Sequence, residues 1–382
     1  MTQKDIDKRV DALMKRFEEV NAFFIAVIAR QVGKIGQLIP STMHQITIMA
    51  QMNEDIAAIN RKLSDALKVS LPDLYNLYED AMQSHYHDPR FERALKETPL
   101  SESAKARIRH YTEAVSRQTA GTMINLANTT IASQVYRHTV DNAILAVSSG
   151  LTDYASATRQ SIRDLGHNGL QMQYPSGYHR RLDTAVRQNI VDGVNQIAQN
   201  GSIMMGEELG YDAYELSAHA RSAPDHEPIQ GRVFLRDEFE KLQSEQPFQD
   251  VDGRHYGAIR RRIGEWNCMH IAMSFSTKYS IRRYTDAQLA KFAEDNEKGC
   301  EIEGKHYTLY EASQLMRRIE TQVRREKDTA NAAREAGDED LRKDCQRNIN
   351  ALVKRYQKVV DASGLKPRKE RMAVEGFKMV KV

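Results

Sequence analysis

The chain has 382 residues, long enough for about two to four compact units without covalent staples. Lys plus Arg number 55 against 52 Asp plus Glu, so the large positive charge of a dedicated nucleic-acid binder is missing. Three cysteines cannot form a disulfide framework and suit a reducing compartment, while 9 prolines and 20 glycines exclude collagen-like and low-complexity readings.

The first half predicts helix after helix. Ile6, Val10, Leu13, Met14, Phe17, Val20, Phe24, Val27 and Ile28 recur at threes and fours and form one apolar stripe. The pattern weakens at Gly33 and Gly36 and stops at Pro40. Residues 22–29 (AFFIAVIA) are the most apolar run, far short of the roughly 20 residues of a membrane span. The opening MTQKDIDKRVDALMKRF is charged and lacks the apolar core of a signal peptide, so the chain is expected to stay in a cytoplasm unless a larger assembly carries it out. Ser41 or Thr42 caps a second helix carrying Met43, Ile46, Met49, Met52, Ile56, Ile59, Leu63 and Leu67; Ser70, Leu71 and Pro72 restart a third. The methionines of these stripes suit irregular apolar packing, within the core or against a partner.

Residues 85–99 read as a linker or a short irregular helix; His85 and His87 alone are too few to hold a metal. Helices resume from Ser103 to about Ala127 and from Ile131 to a C-cap at Gly150. A shorter helix follows, capped by Thr152 and closed by Gly166. Residues 171–174 suit a short strand, and Ser176 opens a long helix through Leu182, Val186, Ile190, Val194 and Ile197.

The texture changes after Gly210. Apolar and polar residues alternate around Tyr214 and Val233, with Pro224, Pro228 and Gly231 between them, which predicts two short strands around a polar loop bearing histidines. Strand-like sequence and reactive side chains coincide in residues 211–282. From Thr285 helices return, and residues 311–334 and 340–360 form a charged helical hairpin with near-heptad apolar spots. The tail carries Lys366, Arg368, Lys369 and Arg371. Together with Arg260, Arg261 and Arg262 these are the local basic clusters, suited either to solvent or to phosphate or an acidic protein surface.

His219, His226, Cys268 and His270 supply four nitrogen and sulfur donors, the number that a tetrahedral structural zinc takes. Against this, His219 and His226 are spaced more widely than a usual zinc ligand pair, and the same side chains can hydrogen-bond within a buried polar loop. A metal-dependent hydrolase or nuclease built on His226, Cys268 and His270 is the enzymatic alternative, as is a Cys268 nucleophile with His226 or His270 as its base. Neither a Walker A loop, nor G-x-S-x-G, nor H-E-x-x-H occurs.

Several stretches go beyond helicity. DNAILAVSSGLTDYASATRQSIRDLGHNGLQ (141–171), YPSGYHRRLDTAVRQNIVDGVNQIAQ (174–199), ELGYDAYELSAHARSAPDHEPIQGRVF (208–234), WNCMHIAMSF (266–275) and KHYTLYEASQLMRRIETQVRREKDTANAAREAGDEDL (305–341) follow one another in order. With SGLKPRKERMAV (363–374) and ARQVGKIGQLIPSTMHQITIMAQMN (29–53), they resemble the phage minor capsid protein 2 family. That family is similar in its later part to the Mu F-like, portal-associated head-morphogenesis proteins. His219, His226, Gln230, Gly231, Asn267, Cys268 and His270 match the family's motif positions. Met269 stands where a basic residue is usual, and Ile271, Ala272 and Met273 replace a more aromatic run.

The resemblance implies a low-copy virion component of a tailed phage of Gram-positive hosts, made in the infected bacterium and without established enzyme activity. It would act near the portal vertex in head assembly, and in genome packaging or ejection. Its implied partners are the portal, other capsid proteins and packaged DNA. The expected fold is mainly α with a small α+β module. Residues 1–100 would form an N-terminal docking region, 101–282 a core that is helical and then Mu F-like, and 283–382 a charged hairpin with a basic tail.

Overall fold

Helical stripes of the predicted kind line the core of a computed structural model that describes residues 3–35, 42–148, 154–244, 246–264, 268 and 270–382. α1 (Gln3–Ile35) buries Val10, Leu13, Met14, Phe17, Val20, Phe24, Val27 and Ile28, every stripe position after Ile6. Gly33 continues this helix because α10 (Leu309–Ala336) comes close there: a Cβ would lie 2.6 Å from the Ala336 carbonyl oxygen. α2 (Thr42–Tyr86) is one helix of 45 residues, so the restart expected at Ser70–Pro72 does not occur. Pro72 has no N–H for the carbonyl four residues back, yet Leu74, Leu77 and Tyr78 beyond it are fully buried, and burial holds the helical course. Arg16 donates to the neighbouring Val69 carbonyl and Ser70 hydroxyl, both at 3.4 Å.

The stretch expected to be irregular is α3 (Pro89–Glu97). α4 (Glu102–Asn128) starts with the Ser101 hydroxyl accepting from the Ala104 amide. α5 (Ala132–Ser148) and α6 (Tyr154–Asn168) follow; the caps expected at Gly150 and Thr152 lie outside the described residues. Gly166 is internal to α6, not its end. Its missing side chain admits Thr329 of α10, whose Cα would stand 2.5 Å from a Cβ. The helix ends instead at Gly169, where φ is +59°.

β1 (Gln171–Gln173) pairs antiparallel with β2 (His179–Arg181), so α7 (Leu182–Glu208) begins six residues later than the Ser176 start expected from sequence. The module that carries the candidate site is a three-stranded antiparallel sheet in the order β4-β3-β7, with β3 (Ala213–Leu216), β4 (Val233–Leu235) and β7 (Ala272–Phe275). β3 is buried along its whole length. α8 (Arg236–Gln243), the short pair β5 (Phe248–Gln249) and β6 (His255–Tyr256), and the sheet share a core of Tyr214, Leu216, Phe234, Phe239, Tyr256 and Ile263. α7 packs on β7 through Ser202, which accepts from the Ser274 amide at 2.9 Å and takes the Ser274 hydroxyl on its carbonyl.

α9 (Asp286–Lys298) has Thr285 as its N-cap, and an unforeseen hairpin of β8 (Cys300–Ile302) and β9 (Lys305–Tyr307) precedes α10. Strands therefore also occur outside residues 211–282. α11 (Glu339–Ser363) completes the expected hairpin, capped by Asp338 and by Gly364 in the left-handed conformation. The tail lies along this hairpin. Lys327, Asn331, Arg334 and Arg342 donate to the carbonyls of Met372, Glu375, Gly376 and Lys378, and Met372 is buried.

The packing divides the chain into two units: Met1–Val10, Leu71–Thr122 and Arg187–Ser313, and Asp11–Ser70, Met123–Val186 and Gln314–Val382. Their boundaries do not coincide with the consecutive blocks 1–100, 101–282 and 283–382, because helices distant in sequence pair within each unit. The module with the sheet belongs wholly to the first.

Candidate metal centre

The loop between β3 and β4 is built from turns, with the His226 amide bonded to the Ala223 carbonyl and the Gln230 amide to the His226 carbonyl. Its start is tied to the strand leading into β7: the Ser217 amide donates to the Ile271 carbonyl, and the Ser217 hydroxyl accepts from the Ile271 amide. Gly231 turns the loop back at φ +64°, where a Cβ would come 2.3 Å from the Leu289 side chain. Asn195 of α7 reaches the Cys268 carbonyl at 3.4 Å. These ties bring His226 against Cys268 and His270.

The three side chains meet at one point. His226 Nδ1 and His270 Nδ1 are 3.3 Å apart, and Cys268 Sγ lies 3.5 Å from the first and 3.7 Å from the second. All three residues are at most 2% exposed. Among the described residues no other group of three His, Cys, Asp or Glu side chains brings ligand atoms this close together.

The far nitrogens are fixed by acceptors. His226 Nε2 is 3.1 Å from the Arg261 carbonyl, which only accepts, so that nitrogen carries the hydrogen. Gln230 Oε1 takes the His219 amide at 2.9 Å, which orients the Gln230 amide; the same oxygen, with Ser222 Oγ, faces His270 Nε2 at 3.4 Å. Both rings therefore hold N–H at Nε2 and direct bare Nδ1 lone pairs at each other. Burial depresses His270 to about 2, helped by the charge that His219, His226 and Arg261 would present. It also lowers His226 and raises the Cys268 thiol.

His219 stands apart. Its ring stacks on that of His270 at 4.5 Å, its Nδ1 accepts from the Arg221 amide, and its buried Nε2 has no hydrogen-bond partner among the described residues. The structure thus assembles three of the four expected donors. Gln230, matched only as a motif position, proves to be the residue that orients His270, and Asn267 lies outside the described residues. His85 is buried beside Gly201 and His87 is exposed; neither joins the cluster.

The basic residues behave differently from one another. Arg260 and Arg262 are exposed, while their backbone straps the centre through the Arg260 amide on Asp225 and the Arg261 carbonyl on His226. Lys366 and Lys369 are exposed, and Arg368 and Arg371 are half-buried with their charges near Glu320.

No described helix is long and apolar enough to cross a membrane. Neither a curated protein nor a solved structure matches this chain. The family model described as phage minor capsid protein 2 matches residues 1–361 of the 382, and the chain belongs to that family of phage capsid proteins.

Proposed function

We propose that this capsid protein is a low-copy component of the portal vertex that acts in head assembly, and in packaging or ejection, by adhesion and not by catalysis. The observation that carries the reading is the family match over residues 1–361, which spans both units. Its partners are the portal and neighbouring capsid proteins.

The chemistry of the centre supports a non-enzymatic role. A cysteine nucleophile needs an accessible thiolate next to a base that can take its proton. Here burial pushes the Cys268 thiol up and both neighbouring imidazoles down, and the sulfur is shut away from solvent. A hydrolase acting on a phage or host polymer would need the same buried atoms to reach it.

Contact with packaged DNA is assigned to the exposed Arg260, Arg262, Lys366 and Lys369. For protein partners, Tyr279 and Ile281 are 82% and 92% exposed on the segment after β7, with the exposed Lys278, Arg282 and Arg283 around them.

Deleting residues 1–100 is a poor test of docking. It would strip Phe17 and Phe24 from the core of one unit and Leu74 and Tyr78 from the other. Surface changes are cleaner. Affinity capture of the full chain with its cognate portal is expected to yield a complex, weakened at least tenfold by Tyr279→Ser with Ile281→Ser if this segment is the contact. A chain that never associates with portal or capsid proteins contradicts the proposal.

A further inference from the structure

We infer that His226 Nδ1, Cys268 Sγ and His270 Nδ1 form a zinc site that staples the loop between β3 and β4 to the entry of β7. The proposal is independent of where in the virion the protein sits.

Zinc binds imidazole nitrogen at about 2.0–2.1 Å and thiolate at about 2.3 Å, so the edges of its tetrahedron are about 3.3 Å between two nitrogens and about 3.6 Å between nitrogen and sulfur. The three observed edges are 3.3, 3.5 and 3.7 Å. The donors are spaced as the ligands of one ion would be.

The Arg261 carbonyl and Gln230 Oε1 force the ring hydrogens onto Nε2, so two nitrogen lone pairs and one thiol face one another with a single S–H between them. Among the described residues, that hydrogen can satisfy one acceptor and leaves the other buried and bare, at the cost of an unmet buried polar group. Zinc satisfies all three. On binding, the S–H bond breaks, the proton leaves to solvent, and the sulfur lone pair and both Nδ1 pairs coordinate the ion. No oxidant or reductant is involved.

The residues around the three donors also suit a bound ion. Ligating histidines characteristically donate their second N–H to a carbonyl or carboxylate oxygen, which fixes ring and tautomer. His226 does so to Arg261, and His270 to Gln230, itself pinned by the His219 backbone. One thiolate and two imidazoles favour zinc over oxygen-seeking cations such as magnesium and calcium. Because all three ligands are buried, the role assigned is structural, a cross-link for a module whose sheet has only three short strands, with a fourth ligand outside these three completing the tetrahedron. His219 is left out: it stacks on a ligand and does not point a nitrogen into the cluster.

The test uses the full chain purified without an affinity tag that binds metal. Elemental analysis is expected to find one zinc per chain. After chelation, titration with cobalt is expected to saturate at one equivalent and to give the near-ultraviolet thiolate-to-cobalt band of a sulfur-ligated tetrahedral ion. Cys268→Ser is expected to lose that band, and Cys300→Ser and Cys345→Ser to keep it. Because Cys268→Ser can also impair folding, His219→Phe provides the second arm: it preserves the flat ring against His270, removes both nitrogens, and is expected to retain full metal content. A folded wild-type chain that holds no zinc and takes up no cobalt overturns the site. An unchanged band in Cys268→Ser, or loss of metal in a folded His219→Phe variant, overturns the ligand assignment.

Discussion

Buried ionisable side chains outside the candidate metal centre make stability depend on pH. Glu320 of α10 is 3% exposed and accepts the Tyr356 hydroxyl at 2.9 Å. Burial pushes its carboxyl above the ordinary range, against the pull of the Tyr356 hydrogen bond and of the Arg371 and Arg368 charges. A raised carboxylate contributes stability that is fully present below the pKa of an unfolded glutamate and lost as pH rises through the folded value. Glu320→Gln keeps an acceptor for Tyr356 and removes that loss. It should therefore melt with wild type at about pH 4 and above it at about pH 8, as read by circular dichroism.

The Arg181 guanidinium is a second residue-scale case, bonded to Asp328 at 2.9 Å and to Asp183 at 3.1 and 3.2 Å, both carboxylates being buried. Asp328→Ala leaves this arginine without half its partners and should cost about 3–5 kcal/mol in a denaturant titration. A loss below about 1 kcal/mol would mean that water replaces the carboxylate.

Among the elements, α10 decides which glycines are tolerated around it. Gly33 of α1 and Gly166 of α6 both meet its backbone, and a Cβ at Gly166 would stand 2.5 Å from Thr329 Cα. Backbone cannot yield as a side-chain tip can, so Gly166→Ala should destabilise by about 2 kcal/mol or more although alanine is the better helix former. The exposed Gly337, with nothing near it but φ +80°, should resist Ala for a different reason, backbone strain.

The same elements mark what could be read in advance. Stripes such as Val10 to Ile28, the return of helix after Thr285 and the hairpin of α10 and α11 follow from local periodicity, and they stand where sequence puts them. Gly33, Gly166 and Pro72 were punctuation by local rules and are internal to helices, because packing against distant residues outweighs a local propensity of about 1–3 kcal/mol. Strands of two or three residues such as β2 and β8 carry too few positions for an alternation to show. At the centre, residue type identified His226, Cys268 and His270. Only the fold could reveal that Gln230 orients His270 and that His219 stacks instead of joining them.

At the scale of the molecule, local charge proved a weak guide to the tail. Its basic run suits solvent, phosphate or an acidic protein surface, yet its carbonyls accept from Lys327, Asn331, Arg334 and Arg342, and Met372 is buried on the hairpin. Truncation after Gly364 should lower the melting temperature of the full chain and expose the hairpin to protease, whereas an idle arm would leave both unchanged. Discontinuous segments within each unit also imply that short terminal deletions act on folding before they act on assembly.

Structural membership of the virion is the claim on which the functional account stands. Cryo-electron microscopy of intact particles, reconstructed around the portal vertex, tests it most directly. The account predicts helical density at that vertex that accepts α10 and α11 of a few copies per particle; complete particles with none of this chain at the vertex would contradict it.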